Sequence, residues 1–176
     1  ATREMCETIL RKDPSRPAFW YLSYAAPHPP LAPPKEYLEF YDNVEFTDPP
    51  VGEWTNKEPS ELPFGFQYYK NLYSWFDSKE RRDIAKKAYY AACTYIDHQI
   101  RLVVGTLREQ SLLEDTIILF TADHGEMLGT HGLFGKFLMY ENSVKIPFIL
   151  SPPADCNMVC NREDDRIVEL RDVMPT

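Results

Sequence analysis

The chain has 176 residues, 44% of them apolar and 26% charged, and a net charge of −8. The length allows one ordinary domain, and the composition excludes a wholly disordered chain. The acidity excludes a generic nucleic-acid or anionic-membrane binder, and no apolar run approaches the ~18 residues a membrane-spanning helix needs.

Arg3 to Leu10 is predicted as a short helix, apolar along Met5, Ile9 and Leu10 and ended by Pro14 and Pro17. Ala18 to Tyr24 is short, aromatic and bounded by prolines, which predicts a buried strand. From Pro27 to Pro63 the chain carries nine of its fifteen prolines. Each proline removes a donor and clashes with the preceding turn, so a helix interior cannot hold that density. Residues 27–76 therefore read as a proline- and aromatic-rich surface excursion, with one helical turn at Lys35 to Tyr41. The aromatic cluster from Phe64 to Phe76 fits a substrate-side wall or ordinary buried core.

Ser78 to Leu113 is the longest periodic segment, with Asp77 or Ser78 as N-cap. Ile84, Ala85, Ala88, Ala92, Tyr95, Ile96, Ile100, Val103 and Leu107 recur at three- and four-residue spacing, which is one helical face. His98 on this helix reads as a packing or surface residue. Thr116 to Thr121 and Ile146 to Leu150 are β-rich apolar runs. A helix feeding such a strand predicts an α/β fold, a mixed, mostly parallel sheet sandwiched by helices. Ligands then bind at the carboxyl ends of the strands. Of the four cysteines, Cys156 and Cys160 could close a small loop or remain thiols.

Four of the seven glycines fall between Gly125 and Gly135. Such clustering marks a tight loop that lets backbone approach a ligand closely. The loop region also carries Asp123, His124, Glu126, His131 and Lys136. Aspartate and histidine at a strand end can ligate a divalent cation. A lysine is a point charge suited to a tetrahedral oxyanion.

These residues resemble a known family. Thr121-Ala122-Asp123-His124-Gly125-Glu126, His131-Gly132-Leu133, Lys136, Tyr140-Glu141 and Ile146-Pro147-Phe148 resemble the C-terminal part of a type I sulfatase catalytic domain, of the alkaline-phosphatase-like superfamily. Ser23 to Pro30 resembles that family's Pro-His signature. Leu170 to Thr176 resembles the turn that follows its site, and the helix with Ala91, Tyr95 and Asp97 also fits. The resemblance spans residues 1–176 and implies a partial catalytic domain of a sulfuric ester hydrolase.

It further implies that Asp123 and His124 are two ligands of one Ca²⁺ or Mg²⁺. Lys136 and His28 would be catalytic and touch the sulfate or its leaving oxygen, with His131 beside them on the same substrate. The family nucleophile is a formylglycine made from the cysteine of a C-x-P-S-R or C-x-A-x-R motif. No cysteine here begins one; Lys12-Asp13-Pro14-Ser15-Arg16 has lysine in its place, and the family's upstream Asp-Asp metal pair has no counterpart. The expectation is thus a fragment of a larger sulfatase, inactive alone. Its partners would be the rest of the catalytic domain and a sulfated small molecule or carbohydrate. The resemblance favours a periplasmic, secreted or lysosomal location. The alternatives are a phosphonate monoester or phosphodiester hydrolase of the same superfamily, or a non-catalytic fragment or pseudoenzyme.

Overall fold

A computed structural model describes Glu4 and residues 17–153, 155–158 and 160–174. The helix predicted at Arg3 to Leu10 lies, but for Glu4, outside them. Within the described residues the order is α1 (Lys35–Glu39), α2 (Phe64–Leu72), α3 (Lys79–Glu109), β1 (Ile118–Thr121), α4 (Glu141–Val144) and β2 (Phe148–Ser151), with short 3₁₀ turns in most of the connections and one after β2.

The long helix α3 forms as its periodicity predicts. Ser78 is the N-cap in an extended conformation, and its hydroxyl accepts the Arg81 N–H at 3.3 Å. Removing that acceptor orphans a first-turn donor, so Ser78→Ala is expected to cost about 1 kcal/mol in denaturant unfolding. Ala85, Ala88, Ala91, Ala92 and Leu107 are the buried face. Small side chains there let other segments approach closely, and Met127, Leu133 and Phe134 of the glycine-rich loop complete the core.

The proline-rich excursion is laced to α3 rather than free. Tyr37 meets His98 at 3.0 Å and Tyr41 meets Thr94 at 2.7 Å. Lys86 is buried, and its ammonium donates to the Thr47 carbonyl at 2.7 Å. Arg82 faces Asp48 at 3.6 Å and Lys87 pairs with Asp42. His98 is accordingly a packing residue. The aromatic cluster predicted at Phe64 to Phe76 is helical over α2. Part of it is core: Phe76 stacks on buried Phe134 at 3.9 Å.

Burial pushes the Tyr89 hydroxyl up to about 12, and neighbouring Cys93, Glu126 and Tyr90 add to the shift. Its folded value exceeds the unfolded 10.0, so the fold binds the proton more tightly and loses that stability as pH rises from 10 towards 12. An ultraviolet titration of tyrosinate is expected to show late-ionising tyrosines in the folded chain, Tyr89 the latest and Tyr69 and Tyr73 also raised by burial, that are absent in denaturant. Cys93, Cys156 and Cys160 are free thiols, so the small Cys156–Cys160 loop does not form.

One expectation about strands is corrected. Ala18 to Tyr24 is not in a strand: an extended segment becomes one only through ladder partners, and no described backbone supplies them. Phe19 and Tyr21 are accordingly exposed rather than buried. The two strands that do form are one antiparallel pair, with Ile118 opposite Ser151 and Thr121 opposite Phe148. A parallel pair would have needed a crossover leading back to the same end. Antiparallel pairing instead sets the start and the finish of the intervening loop side by side. The Thr121 hydroxyl ties that base by donating to the Pro147 carbonyl at 2.9 Å.

Candidate active site

Asp123 and His124 leave β1 at the base of the glycine-rich loop. The Asp123 carboxylate is 83% exposed, and its Oδ1 accepts the His124 N–H at 3.0 Å. His124 Nδ1 donates to the Gly125 carbonyl at 2.8 Å, because that carbonyl can only accept. This fixes the tautomer and leaves Nε2 uncommitted. Nε2 stands 3.6 Å from Asp123 Oδ1, so an imidazole nitrogen and a carboxylate oxygen share one opening.

His28 reaches the same place from the proline-rich turn. Its ring centroid is 6.1 Å from that of His124. His28 Nδ1 donates to the Pro29 carbonyl at 2.8 Å, which again leaves Nε2 uncommitted. A cavity of about 80 Å³ lies beside it, lined by Pro27, His28, Pro30, Leu31, Ala92 and Tyr95. That is well under the ~300 Å³ of a typical ligand pocket.

Lys136 joins them through backbone. Ser143 Oγ donates to the Lys136 carbonyl, and the Ser143 carbonyl accepts the Gly125 N–H at 2.8 Å. One serine thereby bridges the segment after His124 to the segment bearing the lysine. The Lys136 ammonium makes no hydrogen bond to any described residue, so its charge is available. Gly135, just before it, has φ 78°, a left-handed conformation that other residues adopt only under strain.

His131 belongs to the loop but turns to the excursion. Its N–H donates to the Pro50 carbonyl at 2.9 Å, and its Nδ1 accepts the Gly52 N–H at 2.9 Å. The ring packs 4.6 Å from Tyr140. Only Nε2 remains for a ligand.

Glu126 was legible in the sequence only as a loop acid. It is half-buried, and its Oε1 accepts two backbone N–H groups, from Leu128 at 3.1 Å and Gly135 at 2.5 Å. Burial pushes its carboxyl up, while those two bonds, His124 and Lys136 oppose the shift. Ser143 gave no sequence signal at all. Its role follows from tertiary contact alone. Among the described residues no group of three or more His, Cys, Asp or Glu side chains is placed to hold a metal ion.

The sulfatase family profile matches residues 1–176. The chain is 39% identical to an arylsulfatase of Clostridium perfringens (strain 13 / Type A), covering 98% of this chain and 36% of that one. It is 30% identical to the multifunctional alkaline phosphatase superfamily protein PehA of Trinickia caryophylli, over 98% of this chain and 36% of that protein. Among solved structures, a phosphonate monoester hydrolase from Silicibacter pomeroyi superposes with a TM-score of 0.61 at 27% identity. That superposition covers 86% of this chain and 32% of the other. The chain thus spans about a third of the length of these relatives, and its α/β architecture is part of a sulfatase/alkaline-phosphatase-like domain. With the profile matched from end to end over the same loop that gathers Asp123, His124 and Lys136, the chain belongs to the sulfatase family.

Proposed function

We propose that the catalytic domain to which residues 1–176 belong hydrolyses sulfate esters of small molecules or carbohydrates. The observation that carries this reading is the meeting of His28 with His124, rings 6.1 Å apart, beside the exposed Asp123 carboxylate, with Lys136 tied to the same segment through Ser143. Sulfate ester cleavage develops negative charge on the nonbridging and leaving oxygens, and preorganised cations and donors there lower the barrier.

In this reading Lys136 binds the sulfate oxygens. His28, whose Nδ1–H is held by the Pro29 carbonyl, gives the leaving oxygen the ring's second proton, from Nε2, when that ring is the imidazolium. His131 offers Nε2 to the same substrate. Asp123 and His124 would hold one divalent cation, Ca²⁺ or Mg²⁺, which would supply Lewis-acid polarisation of the sulfate. The formylglycine expected by family resemblance would supply the nucleophile from outside these residues. Within them, no helix of the described residues is long and apolar enough to cross a membrane, and an exported location rests on the resemblance alone.

Two ligands alone hold a hard cation weakly. Calorimetry on this chain is therefore expected to give a Ca²⁺ Kd no tighter than about 10⁻³ M. A micromolar value would overturn the split metal site.

The phosphonate monoester hydrolase neighbour favours one second reading, the hydrolysis of phosphonate monoesters. A paired assay decides between them. The domain is expected to turn over nitrophenyl sulfate faster than nitrophenyl phenylphosphonate. The reverse order favours the second reading, and no turnover of either by a domain that holds the nucleophile marks a non-catalytic protein.

A further inference from the structure

We infer that Glu126 is a positioning residue that clamps Lys136 in register with Asp123 and His124. This rests on the reading of Lys136 as the anion-binding cation and deepens it. The loop between them doubles back over several left-handed residues, with Leu128 at φ 46° and Gly129 at φ 94°. Such a path has no regular ladder of its own, so its backbone donors need other partners.

Glu126 supplies them. One oxygen, Oε1, gathers the N–H of Leu128 at the start of the turn and the N–H of Gly135 at its end. Across the same neck the Met127 N–H donates to the Gly135 carbonyl at 2.9 Å. Gly135 is held at both its N–H and its carbonyl, and Lys136 is the next residue. Met127, Leu133 and Phe134 are buried around the neck, which keeps water from replacing the carboxylate. Hydrogen bonds to a charged acceptor in such surroundings are about twice as strong as neutral ones. Tyr73 closes the remaining side with its hydroxyl against Gly135. The carboxylate also faces His124 and Lys136 electrostatically, so one anion sits within the field of both functional arms.

Both bonds end on the same oxygen, and this makes the inference sharply testable. An amide oxygen replaces Oε1 in Glu126→Gln and can keep both bonds. Glu126→Ala removes them. The test is amide hydrogen exchange of the 176-residue chain by NMR, with inorganic sulfate as the probe of Lys136. In Glu126→Ala, exchange at Gly135 and Met127 is expected to rise roughly tenfold, equivalent to losing about one such bond. Exchange at Ala91 in the α3 core should stay unchanged in both variants, and Glu126→Gln, which keeps the bonds without the charge, should fall between wild type and the alanine variant at Gly135 and Met127. The sulfate-induced shift of the Lys136 amide should vanish in the alanine variant and persist in the glutamine one.

Unchanged exchange at Gly135 in Glu126→Ala overturns the clamp, as does a glutamine variant as perturbed as the alanine one. If the alanine variant does not fold, the wild-type chain still decides. A scalar coupling across the hydrogen bond from the Gly135 amide nitrogen to the Glu126 carboxyl carbon supports the clamp, and its absence overturns it. A chain that shows the coupling and the exchange pattern, yet no sulfate response at Lys136, supports the clamp and refutes the anion-binding reading of Lys136 alone.

Discussion

Lys136→Ala is expected to slow the complete catalytic domain by ~10²–10³ in kcat on every sulfate ester, about 3–4 kcal/mol of transition-state stabilisation. The lysine is a fixed charge with no hydrogen bond to any described residue, so its charge is free to act on substrate. The nature of the leaving group does not change that. His28→Ala should behave differently. Proton donation matters most where the leaving oxygen is a poor one, so alkyl sulfates should slow far more than nitrophenyl sulfate. Steady-state kinetics on a leaving-group series separates the two roles. Near-wild-type kcat/KM for both variants on every ester would remove these residues from the site.

The second large effect falls on stability. Gly125 sits against the backbone of the segment that opens α4. A Cβ there would lie 3.0 Å from the Asn142 carbonyl carbon, nearer still to its oxygen, and 3.2 Å from the Lys145 carbonyl oxygen. The obstacle is backbone, so no rotamer change relieves it. The same approach makes the Gly125-to-Ser143 hydrogen bond at 2.8 Å that links the His124 arm to Lys136. Gly125→Ala is therefore expected to cost about 3 kcal/mol, the upper end of overpacking, and to lower Tm by roughly 6–12 °C for a chain of this size. Gly65 is the control. It lies in α2 with no atom within 4 Å of its Cβ position, and Gly65→Ala should stabilise by about 0.5–1 kcal/mol. Calorimetric unfolding of both variants compares them directly.

Sulfate binding should follow the same division. Gly125→Ala shifts Ser143 and so moves Lys136 relative to His124, whereas Gly65→Ala leaves both in place. A Gly125→Ala chain as stable as wild type would mean that the loop base yields more readily than its contacts imply.

Much of this protein was legible along the chain because the relevant physics is local. The α3 helix follows from apolar residues at three- and four-residue spacing and from Ser78 as a cap. The proline density barred helix from most of the excursion and left the turn at α1. Asp123 and His124 are adjacent, so they needed only a strand end to present them together. The glycines announced a loop with left-handed backbone, and Gly129, Gly132 and Gly135 adopt it.

Other features depend on partners distant in sequence. An aromatic, apolar run at Ala18 to Tyr24 has the composition of a strand, but a strand is a pairing, and composition does not say what lies alongside. Strand direction is likewise a property of two segments: antiparallel pairing of β1 with β2 is what brings both ends of the glycine-rich loop together. Glu126, Ser143 and His131 are small polar signals in the chain, each consistent with a solvated loop. Their functions come from acceptors and donors that only folding places within 3 Å or so, at Gly135, Lys136 and Gly52. The sequence by itself determined which groups are available for chemistry and which helix carries the core. Tertiary structure alone decided how those groups meet, because hydrogen bonding is short-ranged and depends on distance in space rather than along the chain.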